Sequence, residues 1–161
     1  MTSTIPPDGL PADAPSPARC VQSLLSSCPR GARRARWLAV RWLEEWGWPP
    51  RCVASQDVAL LVSELATNAV LHGGRPGWYF GLRLAVADGG TTLLVEVTDV
   101  APEQGPTNGQ ALAVPGTDSE TGRGMLLVDT IADRWGVRHA DPFTKTVWCQ
   151  LDLGRPEPSG R

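Results

Sequence analysis

Lysine is almost missing from this chain of 161 residues: Lys145 stands alone, and the other fourteen of its 15 basic residues are arginine. With 17 acidic residues the formal net charge is −2, which argues against a general polyanion binder. The four cysteines, Cys20, Cys28, Cys52 and Cys149, form no CxxC pair and have no histidine at zinc-finger spacing. Free thiols in a reducing cytoplasm are therefore expected. No apolar run approaches the roughly 18 residues needed to cross a bilayer; VALLV at 58–62 and LLVEV at 93–97 are of core length. Residues 1–19 lack the basic start and apolar centre of a signal peptide. Also absent are the phosphate loop GxxxxGK(S/T) and a GxGxxG fingerprint after the first strand, so the two commonest nucleotide folds are disfavoured.

What is present points to one domain. Residues 1–19 and 154–161 are rich in Pro and Gly with little to bury, and read as tails around an ordered segment at 20–153. Val21 to Leu25 suits a short edge strand. Ala35, Leu38, Ala39, Trp42, Leu43 and Trp46 recur at helical steps up to Gly47. A second helix is expected from Ser55, as N-cap, to the Gly73-Gly74 stop, with Val58, Leu61, Val62, Leu65 and Ala69 inward. Trp78–Ala87 and Thr91–Asp99 read as a hairpin across Asp88-Gly89-Gly90. Residues 100–121 have no periodicity, and a segment of that length is more often a lid or binding loop than a plain connection. A third helix over Gly124–Trp135 and two strands, Trp135–Ala140 and Thr144–Leu153, complete an α+β two-layer sandwich. Its helices lie on one face of a mixed, mostly antiparallel sheet.

Glu64, Asn68 and His72 fall within about 80° of arc on the second helix, at the rim of its apolar stripe. A carboxylate there suits activation of an attacking hydroxyl, and an amide oxygen suits completion of a Mg²⁺ shell. Polar residues at this spacing also occur on ordinary exposed helix faces, and His72 suits a helix C-terminus. Gly122-Arg123-Gly124, before the third helix, offers a close backbone approach and free amides to a phosphate, with Arg123 adding charge; a simple turn has the same composition. Asp99, ending its strand, suits either an adenine amino group or a turn, and Thr146 lies in position to support that carboxylate from the last strand.

In this order, Glu64-x-x-x-Asn68, Asp99, a variable loop, Gly122-x-Gly124 and Thr146 resemble the Bergerat-fold (GHKL) ATPases. ELATNAVLHG, GRGMLLVDTIADRWG and KTVW look most like the small anti-sigma-factor serine/threonine kinases and their actinobacterial relatives. That resemblance implies a cytoplasmic, ATP- and Mg²⁺-dependent regulator of transcription. Glu64 is then the general base, Asn68 the Mg²⁺ ligand, Asp99 with Thr146 the adenine reader, and Gly122, Arg123 and Gly124 the phosphate cradle. The implied partners are a sigma factor and an anti-anti-sigma protein, with a homodimer also in keeping and with neither nucleic acid nor membrane bound directly. A module that captures proteins in response to ATP without turnover is the alternative. The family's Asp-x-Gly-x-Gly is here Asp99-Val100-Ala101-Pro102-Glu103, so both glycines are replaced. Arg30, Arg33, Arg34, Arg36 and Arg41 around the first helix are offset by Glu44 and Glu45, which favours a solvated face or an acidic protein over nucleic acid. Seven Trp is a high count, and Trp37, Trp46 or Trp48 are candidates for an interface if not buried.

Overall fold

The computed structural model describes residues 17–73, 75–87, 90–100 and 120–157. In chain order they form β1 (Pro17–Ser26), α1 (Pro29–Glu45), α2 (Val53–Gly73), β2 (Tyr79–Ala87), β3 (Thr92–Val100), α3 (Glu120–Ile131), β4 (Arg134–Asp141) and β5 (Thr144–Asp152). The strands make one sheet in the order β1-β2-β3-β5-β4, and each of its four pairings is antiparallel. This is the expected α+β sandwich, without a parallel pair among the described residues. The expected lid at 100–121 lies almost wholly outside the described residues. No described helix is long and apolar enough to cross a membrane.

Alternation along the strands decides which face the helices cover. Phe80, Leu82, Leu84 and Val86 of β2, Leu93, Val95 and Val97 of β3, and Val147, Cys149 and Leu151 of β5 share one core with Ala35, Ala39 and Leu43 of α1 and Leu61, Val62 and Leu65 of α2. The burial of Cys149 pushes its thiol up to about 12, so it behaves as a small apolar side chain.

Several element ends differ from expectation. α1 starts at Pro29, whose fixed φ suits the first helical position, after Cys28 in extended conformation. It stops at Glu45 because Gly47 turns left-handed at φ 101°. β1 reaches from Pro17 to Ser26, longer than Val21–Leu25, and stays an edge strand paired only to β2. Ser55 is not an N-cap. It lies buried in the first turn of α2 and donates its Oγ hydrogen bond to the Trp48 carbonyl at 2.9 Å. α3 ends at Ile131, not Trp135, which has moved into β4 opposite Cys149 and donates its indole N–H to Asp129 Oδ1 at 2.9 Å. The chain past Leu153 is held as far as Glu157: Gly154 O accepts from Trp48 Nε1 at 3.3 Å, and Glu157 bonds Gly47 O and Arg51. The expected tail boundary at 154 is therefore corrected. Of the three candidate interface tryptophans, Trp48 is buried and Trp46 packs against the core, whereas Trp37 is 57% exposed under Arg41.

One tight contact joins the layers at their start. A Cβ at Gly31, in the first turn of α1, would lie 1.8 Å from the Ser26 carbonyl oxygen. The clash is with backbone, so no side-chain movement relieves it. Gly31→Ala is expected to cost about 2–3 kcal/mol, read as a fall in Tm of roughly 4–12 °C; an unchanged melting curve would contradict the close approach.

Candidate nucleotide site

The α2 helix carries the first two site residues. Glu64 and Asn68 are both half-buried, one turn apart, and His72 is exposed in the last turn. α3 crosses α2 so closely at this point that a Cβ on Gly124 would sit 2.4 Å from Glu64 Oε2. The structure thus brings Glu64 and Gly124 together. It also corrects how the glycines act. α3 begins at Glu120, so Gly122 falls in its first turn and Gly124 lies just past it. A glycine in a helix costs roughly 1 kcal/mol against alanine, and here it makes room for a carboxylate. The side chain of Arg123 lies outside the described residues. Among the described residues no cluster of His, Cys, Asp or Glu is arranged for a metal ion.

At the far end of α2 stands Asp99. It is 3% exposed, on the helix-covered face of β3, and neither carboxylate oxygen has a hydrogen-bond partner among the described residues. A buried acceptor without a donor is expensive. Burial raises its pKa, while Lys145, a backbone N–H at Asp99 itself, His72 and His139 draw it back down; that local amide contact falls short of a hydrogen bond, so no full donor reaches the carboxylate among the described residues. Gly73 makes this burial possible: a Cβ there would lie 2.8 Å from Asp99 Oδ2 and 3.0 Å from the Val100 carbonyl oxygen. Gly73 is the last helical residue, as the expected helix stop requires, and it is also a packing surface. Along the axis of α2, nine residues or about 13 Å separate the Glu64 and Gly73 contacts, a span on the order of an extended nucleoside triphosphate.

Thr146 does not support Asp99. The β3–β5 register sets Asp99 opposite Lys145 and Thr98 opposite Thr146, and the two threonine hydroxyls hydrogen-bond each other at 2.7 Å on the other face of the sheet. The residue facing Asp99 is Lys145, the only lysine of the chain, whose singularity was the available signal. Gly73 was visible only as punctuation.

The raised pKa of Asp99 has a defined sign for stability. A carboxylate whose folded pKa lies above its unfolded value contributes stability below the unfolded value, about 3.9, and loses it as pH rises through the folded one. Above its raised folded pKa, Asp99 therefore weighs against the fold. Asp99→Asn is expected to raise the Tm of the ligand-free protein at pH 7 by about 3–6 °C while removing stabilisation by ATP. The difference between variant and wild type should shrink toward pH 4; a variant that melts lower at pH 7 would show that the carboxylate is satisfied.

A model of the histidine kinase-like ATPase domain matches residues 25–151, most of the chain. None of the curated proteins matches. Among solved structures, the RsbU and RsbW domains of Rv1364c from Mycobacterium tuberculosis superpose with a TM-score of 0.61 at 20% identity, over 88% of this chain and 34% of that one. The chain thus spans about a third of that protein's length, and the likeness is one of fold. With its sandwich, its α2 residues and its family match over 25–151, the chain belongs to the histidine kinase-like ATPases.

Proposed function

We propose that the chain binds ATP·Mg²⁺ along α2 and acts as a regulatory protein serine/threonine kinase. In this reading its motifs carry the role of the anti-sigma-factor kinases they resemble. The observation that bears most weight is the buried carboxylate of Asp99, seated on Gly73 and without a hydrogen-bond partner among the described residues. An adenine amino group offers the N–H donors that this carboxylate lacks, and a site built to hydrogen-bond a ligand N–H discriminates strongly against one without it. Asn68 supplies an amide oxygen to Mg²⁺, and the first-turn amides of α3, near Gly122, face the phosphates with the positive end of the helix dipole.

ATP supplies the γ-phosphoryl group. Glu64 takes the proton of the incoming serine or threonine hydroxyl as its oxygen bonds to the γ-phosphorus, and ADP departs with the electrons of the broken P–O bond. Glu64 is well supported for this task because Gly124 lets α3 close directly on its carboxylate. The partners are a sigma factor and its anti-anti-sigma antagonist. A specific feature favours the non-catalytic alternative, an ATP-dependent capture module: Ala101 and Glu103 replace the two glycines that the family places after the adenine-reading Asp.

Two variants separate binding from turnover. Asn68→Ala should weaken ATP·Mg²⁺ binding at least about tenfold by calorimetric titration, with a smaller effect when Mg²⁺ is withheld. Glu64→Gln should keep ATP affinity within about threefold while phosphotransfer to the antagonist falls by about 10²–10⁴. Full transfer by Glu64→Gln would overturn its role as base, and ATP binding without transfer by wild type would favour the capture module.

A further inference from the structure

The face of the sheet turned away from the helices is not a plain polar surface. Its side chains form two rows across the strands. One runs Gln22, Arg83, Glu96, Trp148 and Gly136; the next runs Leu24, Gly81, Thr98, Thr146 and Arg138. Gly81 adds no side chain at the centre of the second row. The sheet there forms a bowl of about 1000 Å³, at the upper end of the usual range for small-molecule sites. Across it, Trp148 lies flat on β4, where a Cβ on Gly136 would be 2.9 Å from the indole ring.

The floor of the bowl holds more positive charge than it neutralises. Glu96, only 6% exposed, receives one guanidinium on each oxygen: Arg83 Nη1 on Oε2 at 2.5 Å and Arg138 Nη2 on Oε1. The carboxylate is thereby engaged at both oxygens, but each guanidinium has five N–H donors and directs one nitrogen at Glu96. Burial and the neighbouring Arg83 both lower the pKa of Arg138, as expected of two cations sharing one anion. Thr98 and Thr146 share one hydrogen bond, which leaves one hydroxyl proton to donate. At the rim stand His139 and exposed Asp141, whose Oδ1 already accepts from the Phe143 backbone N–H at 2.8 Å.

We propose that this bowl is a second binding site, on the opposite face of the sheet from the α2–α3 site, for a small anion bearing a carboxylate or phosphate group. The anion sits over Gly81, bound by the outward N–H groups of Arg83 and Arg138 and by the Thr98–Thr146 hydroxyls. Planar bidentate contacts of this sort are what arginine offers and lysine does not.

The test uses the full chain, with citrate and inorganic phosphate as probes in separate calorimetric titrations at low ionic strength. Saturable one-to-one binding of at least one probe is expected. It should weaken about tenfold or more in Arg138→Gln, a few-fold in the milder Thr98→Val, and stay unchanged in Asn68→Ala, which disables the α2 site. Citrate alone binding assigns the site to carboxylates, and phosphate alone to phosphorylated ligands. No saturable binding of either probe overturns the proposal. So does binding that survives both Arg138→Gln and Thr98→Val, or that is lost in Asn68→Ala, since the anion then occupies the nucleotide site. Light scattering that shows a dimer dispersed by Arg138→Gln overturns it as well.

Discussion

The α2 helix makes two glycine approaches, one against Asp99 and the Val100 backbone and one against the Glu64 carboxylate, and the candidate nucleotide site lies between them. At one end Gly73 rests on Asp99 and the Val100 carbonyl; at the other Gly124 of α3 rests on Glu64. Helices packed through ordinary side chains stand 8–10 Å apart. Removing the side chain at these two points lets backbone replace it. The consequence at β3 is a carboxylate driven into the core without a donor, and the consequence at α3 is a helix start held over a second carboxylate. Both residues are thereby placed by backbone contact, which fixes them more firmly than exposed side chains on a loop would be.

The same construction explains a tension between stability and function. Asp99 is ionisable, buried and unsatisfied, and its neighbours Lys145, His72 and His139 compensate only partly. Nothing in the packing of Val95 or Val97 needs a carboxylate beyond them. A buried group that weighs against the empty fold yet has free acceptor capacity among the described residues favours the fold only once a donor arrives.

Much of this was legible in the sequence because periodicity reports burial directly. The stripe of α2, the apolar strands β2, β3 and β5 and the pairing of Glu64 with Asn68 follow from it, whereas the non-consecutive pairing of β3 with β5 does not. Boundaries were harder. Trp135 continues the helical spacing of Met125, Val128 and Ile131, yet it is pulled into β4 by pairing with Cys149 and by its bond to Asp129. Ser55 has the chemistry of a cap but a nearer partner in Trp48. Thr146 was misplaced by one residue of register, which in a strand inverts the face. Long-range partners of this kind carry no local signal. The arginines of the open face were likewise invisible as a group, since Arg83 and Arg138 meet at Glu96 only through a sheet whose order brings β4 and β2 to either side of β3 and β5.

In the proposed reading, adenine recognition and turnover rest on different contacts. Asp99 packs on Gly73 and sits in β3, both N-terminal to Ala101 and Glu103. Glu64 packs on Gly124, C-terminal to both. Replacing the two glycines narrows the backbone conformations open at positions 101 and 103; in the proposed kinase reading the effect falls on water exclusion and the alignment of the reacting oxygen. A chain altered at those positions can therefore retain nucleotide affinity and differ in rate, and the ratio of binding to transfer, rather than either alone, is the quantity that distinguishes a kinase from a capture module in this fold.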